Sequence, residues 1–463
     1  MSFPPRDVEI LLQEASSYAN NELIRSGAIP SPEVGMHIRN IVDVLSDVSD
    51  SASIQDRTID PAQTANVQEA IFICRATVAA IRRVPPELFA SIFTMALPDY
   101  WSSLDIEETL NFAHTCYYWR RIALGMPQLW THLCITLQTR TDPLAHRLQW
   151  SGNQPLHISI ADKYPWENTA PNTETLRLVF MHSDRWSNVS LSNFHKMVGH
   201  LESFWPAEFP ALKVLKMDVG EEHTKCFRYF EKAAPHVVSL ELTFDHPWEP
   251  LVFPTAWNLV NLDLCFDHDE GRLALIMAPL AACAHSLVRL VLWITEIGDV
   301  EEQYKAICFP SLKDLSLTYG AIHLCRHAEA PMLAQVKLYG QPIRRWEESY
   351  MDSLHILLRR SQKCGEGMIS LERLELENMT TTAYDTVVAC LRLLPGLRSL
   401  KIEEEGESDD DREPLHSAIL VTFLRAMTRR IDPTGDPSAI WVLPSLTRLE
   451  MKYGGVDGVR RGW

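Results

Sequence analysis

"LKVLKM" (212–217), "VVSLEL" (237–242), "LVNLDL" (259–264) and "LVRLVL" (287–292) share one spacing, apolar-x-x-apolar-x-apolar. The spacing returns in "LKDLSL" from Leu312, "LAQVKL" from Leu333, "LERLEL" from Leu371, "LRSLKI" from Leu397 and "LTRLEM" from Leu446, with "WSNVSL" from Trp186 as an earlier member. Alternate residues of a strand point to opposite sides, so the last two apolar positions of each copy enter a core while the residues between them line the other face. A single such hexapeptide carries no information. A phased series does, because stacking the copies makes one continuous core.

Most neighbouring copies lie 21 to 28 residues apart, and gaps of 38 and 49 before Leu371 and Leu446 predict insertions. This period is the one expected of leucine-rich repeats. Between the strands, "RLALIMAPLAACAHS", "YDTVVACLRLLP" and "HSAILVTFLRAMTRR" read as amphipathic helices; in the last, Ile419, Leu420, Phe423, Leu424 and Met427 share one face. Pro210, Pro310, Pro331, Pro395 and Pro444 stand before strands, where proline ends a helix and sets an extended start. The expected fold is α/β. Residues 1–83 form an N-terminal helical region, 84–137 a compact helical unit, and 138–463 a solenoid with a curved parallel sheet.

Charge narrows the partners. With 43 basic against 60 acidic residues, the net charge of -17 opposes the basic footprint that nucleic acid or an anionic membrane surface requires. Neither is expected as a partner. No segment reaches the ~18 to 20 apolar residues of a membrane span, and the opening "MSFPPRDVEILLQEASSYAN" lacks a basic segment followed by an apolar run. The ten cysteines include no CxxC pair, which suggests reduced, packed thiols and a cytoplasmic or nuclear location.

Catalytic motifs are missing from the chain: it contains no G-x-S-x-G, no G-x-x-x-x-G-K and no H-E-x-x-H. His195 with His200, and His223 with Cys226, fall short of a recognised ligand set. The expectation is a non-enzyme without cofactor or metal; an unrecognised hydrolase built from dispersed Ser, His and Asp would need a cleft where they converge.

"IRRVPPELFASIF" (81–93) differs from the repeats. Pro85 and Pro86 suit a helix start, since proline there loses no hydrogen bond. Leu88, Phe89, Ile92, Phe93 and Ala96 then make a broad apolar face, which fits a core helix or a partner-binding helix. The helical stretches expected upstream are Asp7 to Ile24, Glu33 to Val48 and Ala62 to Arg83, with Val34, Ile38, Ile41 and Leu45 forming a packing stripe.

"VPPELFASIF" followed by "LNFAHTCYYWRRIALGMPQLW" closely resembles the F-box of the F-box and leucine-rich-repeat proteins abundant in mushroom-forming fungi. The matching residues are Pro85, Pro86, Glu87, Leu88, Ile92, Phe93, Cys116, Trp119, Arg120, Ile122, Ala123, Pro127, Leu129 and Trp130. "RLQWSGNQPLHISI" and "RLVFMHSDRWSNVSLS" are similar to the elements that follow the box in that family, and "SGAIPSPEVGMHIRN" to its N-terminal helix start. Tyr117 and Tyr118 depart from the arginine or lysine often found there. The resemblance implies that the unit docks on a Skp-type adaptor and through it a cullin, with Pro85, Leu88, Ile92 and Phe93 as contacts and Trp119 in the unit's own core. It implies a substrate-recognition subunit of a ubiquitin ligase; a repeat scaffold that engages no ligase is the alternative.

The unknown protein substrate would lie on the inner face of the repeat sheet. There the central strand position reads Lys216, Glu241, Asp263, Val291, Ser316, Lys337, Glu375, Lys401, Glu450, and two positions further stand Trp293 and Tyr339. Lys216, Asp263, Trp293 and Tyr339 are the candidate substrate contacts, aromatics being frequent interface anchors; the alternative is a row of exposed ion pairs. The acidic run "EEEGESDDDRE" (403–413), with Ser408, reads as a solvated loop, and "MKYGGVDGVRRGW" as a frayed last repeat or an incomplete end.

Overall fold

The computed structural model describes residues 5–54, 61–97, 112–136, 139–160, 173–192, 204, 208–219, 227, 230–244, 251–254, 256–266, 273–295, 304–340, 350–364, 369–378, 384–405 and 443–454. The expected helix at 416–430, most of the acidic run with Ser408, the last nine residues, and His195, His200, His223 and Cys226 lie outside the described residues. The chain divides into two compact units, residues 1–134 with 140–157 and residues 135–139 with 158–463.

The first unit is helical. Its first helices are α1 (Pro5–Tyr18), α2 (Asn21–Ser26), α3 (Pro32–Ile54) and α4 (Pro61–Val78). The helix expected from Asp7 to Ile24 is in fact two, because the Asn20 carboxamide oxygen accepts from Leu23 N at 2.8 Å and caps a new start. Ile38, Ile41 and Leu45 of the stripe are buried with Val42, and Val8, Val67 and Cys74 join them, so α1, α3 and α4 share one core. A second core in the same unit gathers Phe89, Phe93, Ala113, Ala123, Met126, Leu129 and Trp130 around α5 (Pro86–Met95) and α6 (Tyr117–Leu124). The helix α7 (Thr141–Trp150) places Trp150 against Trp130, with ring centroids 4.8 Å apart.

The strands β1 (His132–Ile135), β2 (Leu156–Ile160), β3 (Trp186–Leu191), β4 (Val214–Val219), β5 (Ser239–Phe244), β6 (Asn261–Phe266), β7 (Arg289–Ile294), β9 (Asp314–Tyr319), β11 (Gln335–Tyr339), β12 (Arg373–Glu377), β13 (Ser399–Glu405) and β14 (Arg448–Gly454) make a 12-stranded parallel sheet in sequence order. The two-residue strands β8 (Ile307–Cys308) and β10 (Ala328–Glu329) pair apart from it. Leu215, Leu240, Leu262, Leu290, Leu315, Val336, Leu374 and Leu400 stand in one register column, one from each strand. All eight are buried, and full burial of such a side chain is worth about 1.5 to 3 kcal/mol. The sheet's stability therefore comes from the repeated spacing itself.

Covering elements lie between strands, including α8 (Thr173–Phe180), α9 (Leu273–Cys283), α10 (Tyr350–Cys364) and α11 (Tyr384–Arg392). The prolines work by turn geometry. Leu212, Leu312, Leu333 and Leu397 each donate backbone N–H to the carbonyl three residues back, at Phe209, Phe309, Ala330 and Leu394. Proline then occupies the second position of a four-residue turn, where its fixed φ is already correct. Among the described residues no helix is long and apolar enough to cross a membrane.

Candidate functional site

Helix α5 is apolar on more of its circumference than one core can use, and the structure divides that surface. Phe89 and Phe93 turn inward at 1% and 0% exposure. Phe89 meets Trp119 at 5.1 Å and the edge of Tyr118 at 5.8 Å, while Phe93 stacks on Phe112 at 4.6 Å and meets Trp119 at 5.2 Å. Leu88 and Ile92 point away from this core at 55% and 48% exposure, with Pro85 exposed beside them. Phe93 is therefore not a surface contact, contrary to the expectation from sequence; it lies one residue beyond Ile92, which turns it about 100° around the helix. Met95, 81% exposed, occupies its place in the outer stripe. Leu88, Ile92 and Met95 follow an i, i+4, i+7 spacing, so the position was readable once the inward pair was known.

The residues shared with the F-box pattern hold this helix in place. Cys116 caps α6, its Sγ accepting from Trp119 N at 3.4 Å. Arg120 Nε donates to Ala113 O at 2.7 Å, and Trp130 Nε1 donates to Ala123 O at 2.8 Å, so the buried indole is satisfied. Trp119 is half-buried between the two phenylalanines, within the unit's own core as expected.

Two contacts not legible in the sequence, made by Arg82 and Tyr118, join the N-terminal helices to this core. Arg82 donates to Leu23 O at 2.9 Å, Ile24 O at 3.3 Å and Ala28 O at 2.9 Å, supplying a cation to the carbonyl end of α2. Desolvation pulls its pKa down from the ordinary value. Tyr118 packs against Gly27, which ends α2 at φ 75°; a Cβ there would approach Tyr118 Cδ2 to 3.2 Å. Tyr118, one of the two tyrosines that depart from the expected pattern, is thus a contact that seats the end of α2.

The open face of the sheet carries the predicted charge row in register. Lys216 pairs with Glu241, Glu241 with Asp263, Asp263 with Val291, Val291 with Ser316, Ser316 with Lys337, Lys337 with Glu375, Glu375 with Lys401 and Lys401 with Glu450. Lys216 Nζ lies 2.5 Å from Glu241 and Lys337 Nζ 3.1 Å from Glu375, so ion pairing engages both. Asp263 differs. Desolvation, then the Glu241 charge, push its carboxyl up to about 6, against weaker pull from Arg289 and Lys216.

Trp293 and Tyr339 share the next row, separated by Thr318. Trp293 is 41% exposed and Tyr339 half-buried. Tyr319 completes the group. It occupies a core register position opposite Ile294, yet its φ of 54° keeps it half-buried, with its ring edge-on to Trp293 at 5.9 Å. A bulky residue at positive φ is strained backbone, of a kind concentrated at binding sites.

His132 and His157, neighbours across β1 and β2, stack at 4.1 Å. Burial, and then the charge of His157, drive His132 down to about 3, and burial lowers His157 as well.

A search of curated proteins finds no match to this chain. Residues 81–136 match the family model described as F-box-like. The segment that presents Leu88, Ile92 and Met95 outward is an F-box-like domain.

Proposed function

We propose that this chain is the substrate-recognition subunit of a Skp-cullin-F-box type ubiquitin ligase, acting in the cytoplasm or nucleus. The observation that carries this reading is the outer stripe of α5. Its inner face already fills the domain core, so the large apolar side chains Leu88, Ile92 and Met95, with Pro85 at the helix start, are surplus to folding. An apolar stripe of this kind suits the centre of a protein interface of about 1,600 Å² in total. F-box-like domains generally bind Skp-type adaptors, which supplies the partner and, through it, a cullin.

In this reading the sheet is a leucine-rich-repeat solenoid whose open face receives the substrate. Trp293, Tyr319 and Tyr339 are the anchors, and Asp263 is the electrostatic handle, since a cationic substrate group beside it would relieve the repulsion from Glu241. Lys216 is a weaker candidate because Glu241 already holds it. The chain performs no chemistry. It tethers a target near the conjugating enzyme, and the gain is effective concentration.

Calorimetry of the purified chain with its host's Skp-type adaptor tests the reading. Wild type binds, and Leu88→Asp with Ile92→Asp abolishes binding while the thermal midpoint stays unchanged. A well-folded wild type that fails to bind sinks it.

A further inference from the structure

Cys308, Glu329 and Cys364 come from three separate elements, yet their Sγ and carboxylate oxygen atoms all lie within 4.8 Å of one another. The two sulfurs are 3.5 Å apart. Each position has a structural cause. Cys308 and Glu329 are direct partners in the short parallel pairing of β8 with β10, which places their side chains on the same side. Ile307 N to His327 O and Phe309 N to Glu329 O, both 2.7 Å, hold that register. Ser361, buried in the last turn of α10, accepts from Ala330 N at 2.9 Å and so fixes the helix against the end of β10. Cys364, three residues on, falls on the same helix face and closes the group.

We propose that Cys308, Cys364 and Glu329 bind one Zn²⁺, with the fourth tetrahedral position open to water or to a partner's ligand. The chemistry matches: two thiolates and a carboxylate are ordinary zinc donors, and Zn–S bonds of about 2.3 Å in a tetrahedral site bring two sulfurs to about 3.8 Å, close to the spacing present here. Cys364 is also the last residue of α10, whose terminal carbonyls favour a cation. On binding, each thiol releases its proton to solvent, so Zn²⁺ and three donors combine with loss of two protons and no change of oxidation state. The ion would staple the end of α10 to β8 and β10. This site is independent of adaptor docking.

The test uses the full chain, purified reduced and stripped by chelator dialysis, then titrated with Co²⁺ as spectroscopic probe and displaced by Zn²⁺. The expected result is about one equivalent bound per chain, with a thiolate-to-cobalt charge-transfer band and tetrahedral ligand-field absorption. Cys308→Ser with Cys364→Ser removes both signals; Cys265→Ser, on the open face of β6, leaves them. Both cysteines of the site are exposed, so the double variant keeps its fold, checked by circular dichroism. Three results would overturn the proposal: no band in the reduced wild type, the same band in the double variant, or oxidation of the pair to a disulfide in a chain that takes no metal when reduced.

Discussion

Leu88 and Phe89 are adjacent in the chain and turn to different faces of one helix, about 100° apart: Phe89 packs on Trp119 in the domain core while Leu88 is exposed. The two faces of α5 thus have separable roles, and substitutions should separate them.

Leu88→Asp with Ile92→Asp is expected to abolish adaptor binding with little change in thermal stability, because neither side chain is buried. Phe93→Ala removes a fully buried ring and is expected to cost about 3 to 5 kcal/mol, measured by urea denaturation. Equal destabilisation by both kinds of variant would contradict the division of faces.

Arg82→Ala removes one donor from each of three carbonyls around the end of α2; Leu23 O keeps Ser26 Oγ and Ile24 O keeps Gly27 N, while the tie to residue 82 is lost. The expected loss is about 1 to 3 kcal/mol, concentrated in α2. Hydrogen exchange should show faster exchange at residues 21–28 while α5 stays protected; unchanged rates at 21–28 would refute the clamp.

The stacked histidines predict acid sensitivity. Above about pH 6.5, the ordinary histidine value, both rings are neutral whether folded or not. Below it the unfolded rings take up protons that the half-buried folded rings resist, so stability falls progressively as pH drops from about 6.5 toward the folded His132 value of about 3. Thermal midpoints recorded across that window should fall less steeply for His132→Gln than for wild type; parallel curves would argue against the pair.

Asp263 has the opposite behaviour. Its folded pKa near 6 lies above the ordinary 3.8, so between those values the folded state holds a proton that the unfolded state has lost. Its contribution to stability declines as pH rises through that window, and the cost is complete above about 6. Asp263→Asn should therefore raise the thermal midpoint near neutral pH and have little effect below pH ~4. A variant less stable than wild type at neutral pH would contradict this.

Gly340 directly follows β11 where the backbone passes close to the end of β12: its N–H donates to Glu377 O at 2.7 Å, and a Cβ would come within 2.2 Å of Asn378 O. Because backbone cannot yield as a side chain would, Gly340→Ala should cost about 1 to 3 kcal/mol. Denaturation measured against Gly396→Ala, whose nearest contact is 4.0 Å away, gives the comparison.

The sheet was legible because each repeat states its own register: two core leucines with one residue between them leave a single strand alignment that buries both. The charge row from Lys216 to Glu450 followed from the same rule, since a fixed core column fixes the column beside it. Helix α5 was legible as a helix, but its division was not. An apolar stripe wider than one core needs reads the same whether its surplus is buried or exposed, and only the neighbours Phe112 and Trp119 decide that Phe93 is inside.

What the amino-acid sequence determined by itself was the periodic pattern of the sheet and the proline-led helix: the repeated strands and their common face, because local spacing sets which side chains share a side. What only the tertiary structure decided were meetings between distant, unpatterned residues. Arg82 reaches Leu23 across 59 positions, and Cys308 meets Cys364 across 56. No spacing rule encodes such pairs; they form because helix ends and short strands, once packed, bring their termini to the same place.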